Sequence, residues 1–490
     1  MRTTTGALEL LTLGLLSLSA VSAAANGGHG GARLNDRAEG HKQLAKRAAS
    51  RTLFRDRTTA TTTSAAAPAA SSSSKVGWVV AAPATPVYGR TTTTTSSAPV
   101  QTTAFCSATY SAPTTIRGTG TLPKPTSFVT RSGQQLKVGN QNFRIAGPNI
   151  YWLCSDENAS PWAAPPDKGR VREAMAIAVA MGANTIRIHT CGISVGPNSP
   201  YSWEPSKGVF REDIAQHRDF VLYTAREYGL RVILPLLDNY NYYHGGKQSF
   251  VDFFGLSTAN HAAKFYESKV VIAAFGEYIT KFLSRVNTYT GVSYANDPSI
   301  LAWETGNELG GYIQAEMWPP ASWTNYVINY IRSVDKRHLI IDGTNGFWNY
   351  STNATPDGLR LPGIDIVSDH GYPRNGGILS KEIALAKAAN KAFIVGEYDW
   401  RANGGGTALG DYLSMIEGAG LGDLLWSVLG RDAQCCAFVP HNDGYSLYYP
   451  DGNPAADQAA ILQVVKHWYK VTGRAQPSKL PAVACPQPEF

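Results

Sequence analysis

The chain has 490 residues, 43% of them hydrophobic and 17% charged, which is enough apolar material for a large core and excludes wholesale disorder. Its formal charge of +7 belongs to one end: residues 1–125 carry thirteen Lys/Arg against four Asp/Glu, whereas residues 126–490 sum to −2. A slightly acidic globular part behind a basic tail excludes nucleic acid as the partner.

Arg2, an apolar run over residues 10–21 and the small-residue pattern Val21-Ser22-Ala23 predict a secretory signal peptide over residues 1–23. Residues 24–126 form a Ser/Thr/Ala/Pro-rich linker with a basic start. It holds the dibasic pair Lys46-Arg47 and the runs Ser71 to Ser74 and Thr91 to Thr95. Such a composition cannot offset chain entropy by packing, so it is expected to stay disordered and to attract O-glycosylation. No other run reaches the roughly 20 apolar residues of a membrane helix, and the C-terminal residues lack a lipid-anchor signal. The product is therefore expected to be secreted and extracellular, with no membrane partner.

From residue 127 the pattern changes. Phe143-Arg144-Ile145-Ala146-Gly147, extended by Asn149 to Leu153, predicts a first strand. Residues 169–181 follow with helical spacing, then a short buried strand over 184–189. A helix over 211–228 is stopped by Gly229, followed by a third strand over 231–237. A loop rich in Tyr and Phe precedes a long helix over 261–286. Strand four, 300–304, is followed by a helix over 322–334. Strand five, 338–341, has only a poorly defined segment after it. Strands six to eight cover 364–368, 393–396 and 423–427, and helices cover 379–389, 409–417 and 458–469. Eight short apolar runs alternating with helices predict parallel βαβ units. The count of eight favours a closed (β/α)8 TIM barrel over residues 127–490.

Six cysteines, at 106, 154, 191, 435, 436 and 485, are read as disulfides of a secreted protein rather than metal ligands. Cys154 and Cys191 both end strand-like runs and are placed to meet across neighbouring strands, while partners for Cys435 and Cys436 stay open. Asn158, Asn349 and Asn353 begin N-glycosylation sequons.

Barrel enzymes gather reactive groups at the carboxyl ends of their strands. Those ends supply Arg187 and His189, Asp238 and Asn239, Asn307 and Glu308, His370 and Tyr372, Glu397, and Trp426. Glu308 and Glu397 come from opposite sides of the ring and can converge over its mouth. Two such carboxyls are what glycosidic cleavage needs, one protonated to release the leaving oxygen and one ionised to attack the anomeric carbon. Asn307 is suited to a sugar 2-hydroxyl, Tyr372 to the nucleophile and Trp426 to the flat face of a pyranose. Glu304 is expected to be a structural partner deep in the barrel. His189 divides evenly between site lining and core, and Asp238 and Asn239 lean towards capping a loop. The aromatic group around Tyr240, Tyr242 and Tyr243 divides evenly between loop packing and a sugar cleft. No cluster demands a metal or an organic cofactor.

Ala302-Trp303-Glu304-Thr305-Gly306-Asn307-Glu308 and Ile394-Val395-Gly396-Glu397-Tyr398 resemble the acid/base and nucleophile strands of glycoside hydrolase family 5, clan A. Thr-Ile-Arg-Ile-His ending at His189, His370-Gly371-Tyr372 and Leu425-Trp426-Ser427 match other strand ends of that family in order, across residues 127–473. The opening up to Trp152, with its Tyr-Trp pair, is similar to fungal endo-β-1,4-mannanases. The chain departs at Leu309-Gly310 and at His189, where those mannanases carry an aromatic residue. The resemblance implies Glu308 as acid/base, Glu397 as nucleophile and Trp152, Arg187, Asn307, His370, Tyr372 and Trp426 as substrate-binding residues. It implies a monomeric, retaining mannanase acting on a β-mannan or related β-glycan. A β-glucanase or transglycosylase, or a non-catalytic wall-associated carbohydrate-binding protein, are the competing expectations.

Overall fold

The computed structural model describes residues 122–489 except 159–162, 191–199, 310–317 and the single positions 351, 434, 436, 442 and 488. The leader, the linker up to residue 121, and the expectation for Cys191 and Cys436 lie outside the described residues. The folded part already includes Leu122, whose N–H donates to Tyr228 O at 3.0 Å, and Lys124, which pairs with Glu227.

Three short antiparallel strands come first: β1 Val129–Ser132, β2 Gln135–Val138 and β3 Gln141–Phe143. Val129 and Leu136 on this meander pack with Ile233, Leu301, Ile341, Ile366, Ile394 and Leu424 of the barrel. The meander therefore seals the end of the barrel opposite the strand carboxyl ends.

Eight parallel strands then form one sheet: β4 Ala146–Pro148, β5 Thr185–Arg187, β6 Arg231–Pro235, β7 Ile300–Glu304, β8 Leu339–Asp342, β9 Ile366–Gly371, β10 Ala392–Tyr398 and β11 Gly422–Leu425. The sheet closes where Asn184 N donates to Ala146 O and Ile150 N to Arg187 O, each at 2.9 Å. A Cβ on Gly147 would stand 1.8 Å from Thr185 O, so only glycine lets β4 approach β5 this closely. The strands are buried on both faces, as expected for apolar runs enclosed by helices.

Most predicted elements stand within a few residues of their expected bounds, and two differ. The first barrel strand is only Ala146–Pro148, because Phe143 ends the meander and Tyr151–Leu153 forms a 3-10 turn. The expected helix over 261–286 is broken into Ala259–Ala262, Lys264–Glu267 and Lys269–Leu283. Asn260 and His261 take left-handed backbone angles and Ser268 is extended (φ −82°, ψ 118°), which interrupts the hydrogen-bond ladder twice. Gly229, with φ 77°, stops the helix Glu212–Tyr228 as expected. Between β8 and β9 the described residues form a short 3-10 turn, Asp357–Arg360, and no α-helix.

Beyond β11, the short strands β12 Val428–Leu429 and β13 Leu447–Tyr448 pair in parallel before the final helix Ala455–Val471. Cys435 and Cys485 are joined by a disulfide spanning 50 residues. Cys154 is also disulfide-bonded.

Candidate active site

Arg187, at the end of β5, is 1% exposed. Its Nε and Nη2 donate to the two oxygens of Glu304 at 2.7 and 2.9 Å. Nη1 donates to Asn149 Oδ1 and Glu397 Oε1, both at 2.9 Å, and Nη2 also donates to Asn307 Oδ1 at 2.8 Å. All five guanidinium protons are thereby used, which a lysine cannot reproduce. Burial opposes this charge, but Glu304, Glu397 and Glu308 hold it above the ordinary arginine range. Glu304 takes the structural role expected of it, as the bidentate partner of Arg187.

The carboxylate of Glu397 receives Arg187 on Oε1 and the Tyr372 hydroxyl on Oε2 at 3.1 Å. Glu308 is held differently: Tyr240 OH donates to Oε2 at 2.6 Å, and His370 Nδ1 lies 2.6 Å from Oε1. His370 Nδ1 is also 3.5 Å from Glu397 Oε2. One ligand atom from each of Glu308, His370 and Glu397 lies within 4.8 Å of the others. Burial disfavours a charge on His370, yet Glu397 and Glu308 raise its pKa above the usual histidine value.

Glu308 has φ +53°, in the left-handed region. This backbone turn is fixed by Leu309 N donating to Gly343 O at 3.0 Å. A Cβ on Gly343 would meet Gly306 O at 1.7 Å, so both strand ends need the glycine to lie this close.

A cleft of about 320 Å³ opens above the two carboxylates. One wall carries Tyr240, Tyr242 and Tyr243. The cleft is also lined by Tyr151 and Trp426, stacked with ring centroids 5.3 Å apart, and by Tyr445. Trp426 Nε1 donates to Asp443 Oδ2 at 2.7 Å. His441 sits between Glu157 Oε1 at 3.0 Å and Asp443 Oδ2 at 3.4 Å. Burial lowers the pKa of His441, but hydrogen bonds and charges from Asp443 and Glu157 outweigh this and raise it to about 10. Asp443 is correspondingly held at about 2 against its own burial, chiefly by His441.

Of the residues expected in the site, Glu308, Glu397, Asn307, Tyr372 and Trp426 line the cleft. Arg187 and His370 are not among the residues lining the cleft; both touch the carboxylates. Trp152 corrects the expectation. It is fully buried, its Nε1 donates to Val428 O at 2.9 Å, and the Arg170 guanidinium lies 4.3 Å over its ring. The 3-10 turn at this point directs its neighbour Tyr151 to the cleft instead.

His189 lines the cleft, and burial pushes its pKa well below the usual value. Asp238 caps its loop by accepting from Tyr240 N at 2.9 Å. Sequence reasoning missed Asn149, whose Nδ2 donates to Gly396 O and Leu425 O at 2.9 and 3.1 Å. Its position at the end of the first barrel strand was the available signal. Glu157, His441, Asp443 and Tyr445 were also missed, because nothing periodic marks the loops that carry them.

Residues 126–400 match the family model described as GH family 5 beta-mannosidase-like. The chain belongs to glycoside hydrolase family 5. Among relatives of this hydrolase is mannan endo-1,4-beta-mannosidase 1 of Oryza sativa subsp. japonica, 28% identical over 66% of this chain and 82% of that protein. Mannan endo-1,4-beta-mannosidase 1 of Arabidopsis thaliana is 30% identical over 51% of this chain and 59% of that protein. The endo-1,4-beta-mannanase of Rhizomucor miehei shares the fold with a TM-score of 0.57 at 23% identity, over 71% of this chain and 100% of that one. The family match ends before β11, so Trp426 and its loop lie beyond it.

Proposed function

We propose that this family 5 hydrolase is a secreted endo-β-1,4-mannanase that cleaves internal bonds of β-mannan with retention. The observation that carries the reading is the opposed pair Glu308 and Glu397 in one cleft, with His370 between them and ligand atoms within 4.8 Å. Carboxyls about 5 Å apart suit a double displacement, whereas inverting enzymes need room for a water between them. Glu397, which accepts hydrogen bonds from Arg187 and Tyr372, attacks the anomeric carbon. Glu308 passes its proton to the departing oxygen, then takes one from the water that releases the glycosyl group. Tyr240 and His370 hold both oxygens of Glu308 in place through these steps. Asn307 stands beside the acid to meet a 2-hydroxyl, and Trp426 offers its face to the sugar ring.

The relatives named as mannan endo-1,4-beta-mannosidases support the choice of sugar. The leader-like residues 1–23 support secretion, and among the described residues no helix is long and apolar enough to cross a membrane. Incubation with mannan, glucomannan, cellulose and β-1,3-glucan tests the substrate, and proton NMR of the first product tests stereochemistry. Shortened mannan chains with an initially β-configured end are expected. Preferred attack on a glucan, or an α-configured first product, overturns the reading.

A further inference from the structure

His189 follows β5, Asp238 follows β6, and His244 lies six residues further along the same loop. No sequence spacing links the three as a ligand set, but the barrel brings them together. Asp238 Oδ2 is 2.8 Å from His244 Nε2 and 3.5 Å from His189 Nδ1. One ligand atom from each lies within 4.8 Å of the others, and all three residues are buried. Ligands bonded at about 2.0–2.1 Å around a tetrahedral ion stand about 3.3 Å apart, and the two separations from Asp238, 2.8 and 3.5 Å, bracket that spacing. Two imidazoles and one carboxylate form a donor set for Zn²⁺ and similar transition cations, whereas Ca²⁺ and Mg²⁺ prefer oxygen cages.

The surroundings fit a cation as well. His189 and His244 line the cleft, which gives an entry path and leaves a fourth position open to water. The nearby Arg187 has its charge shared between Glu304 and Glu397, so its repulsion is offset. A cation on Asp238 would also withdraw the carboxylate from Asn307, whose Nδ2 lies 3.4 Å from both oxygens. It would occupy the cleft next to Glu308.

We propose that His189, Asp238 and His244 form a transition-metal site in the cleft wall, and that a bound Zn²⁺-class cation inhibits hydrolysis reversibly by competing with substrate. The proposal does not rest on the sugar specificity, because binding is read without turnover. The full chain is titrated with Co²⁺ and followed by the visible absorption of a tetrahedral cobalt centre, with Zn²⁺ as competitor. One Co²⁺ per chain is expected, displaced by Zn²⁺, with activity on a soluble substrate falling in step with Zn²⁺ occupancy and recovering with EDTA. His244→Gln should weaken binding about tenfold or more, and His189→Gln should do the same if the first variant folds poorly. Glu308→Gln should bind Co²⁺ as the wild type does. Absence of a cobalt spectrum up to millimolar metal overturns the proposal. So does loss of binding in Glu308→Gln with retention in His244→Gln, which would place the ion among Glu308, His370 and Glu397.

Discussion

On the floor of the cleft, Arg187, Glu304, Asn307 and Glu397 project from strands or strand ends locked into a closed parallel sheet, and every one is at most 3% exposed. On the wall, Trp426, His441, Asp443 and Tyr445 come from the segment between β11 and the last helix, held by an aromatic stack, an ion pair and the Cys435–Cys485 link. The polar groups of the floor are partnered across the barrel, Arg187 on β5 holding Glu304 on β7 and Glu397 on β10. The wall is assembled from loop contacts that can be altered without touching the sheet. Under the proposed function the difference would separate two tasks, bond chemistry on the floor and the holding of the sugar on the wall.

The sharpest way to break this division is to remove a floor carboxylate. Glu397→Ala should cost at least about 10⁴-fold in kcat, with azide restoring part of the rate and giving a product of inverted configuration. Glu308→Ala should keep its first step on activated aryl glycosides, which need no acid. Swapped rescue patterns in product NMR would reverse the roles. Next in size is Arg187→Lys. A point charge cannot serve Glu304, Asn149, Asn307 and Glu397 together, so kcat/KM should fall about 10²- to 10³-fold. A value close to wild type would mean the floor tolerates far more than its hydrogen bonds suggest.

The wall should respond more gently and in a different parameter. Asp443→Ala leaves Trp426 Nε1 without its acceptor, a cost of about 1–2 kcal/mol, so KM for oligosaccharides should rise about tenfold with kcat little changed. An equal loss in kcat would tie the wall to chemistry. His441 gives the same region a pH signature in stability. Its folded pKa, about 10, lies above the ordinary 6.5, and that of Asp443, about 2, lies below 3.8. The histidine's contribution is full below about pH 6.5 and is lost as pH rises through 10. The aspartate's is present above about pH 4 and is lost as pH falls through 2. His441→Gln should therefore lower Tm most between about pH 4 and 6.5, and the gap should close towards pH 10. A gap that widens with pH contradicts the pairing. The smallest effect is expected from the tail: removing residues 1–121 should leave kcat on soluble oligosaccharides within about twofold, since the Leu122 contact to Tyr228 survives.

The same division explains what the sequence made legible. Strand ends could be read because a residue at the carboxyl end of a barrel strand has a known direction, so Arg187, Asn307, Glu308 and Glu397 were identifiable from position alone. Of the wall only Trp426 was legible, as a strand end; its partner Asp443 lies 17 residues further along the chain, where no periodic pattern marks it. Trp152 was misplaced for a local reason: a strand continued through residue 153 would alternate its side chains, and the 3-10 turn replaces that alternation. The break in the long helix escaped notice because residues 261–286 keep an apolar helical spacing across Ser268, whose extended backbone ends one helix and begins the next.

Glu308 carries one more consequence in its φ of +53°. Side chains with a Cβ meet steric resistance there, of order 1–3 kcal/mol, that glycine does not. If only endurance were under selection, this position would drift towards glycine, and the protein would gain resilience as it lost its acid. A glutamate at such a backbone points to use rather than endurance, and a survey of surviving variants would separate the two pressures at this one codon.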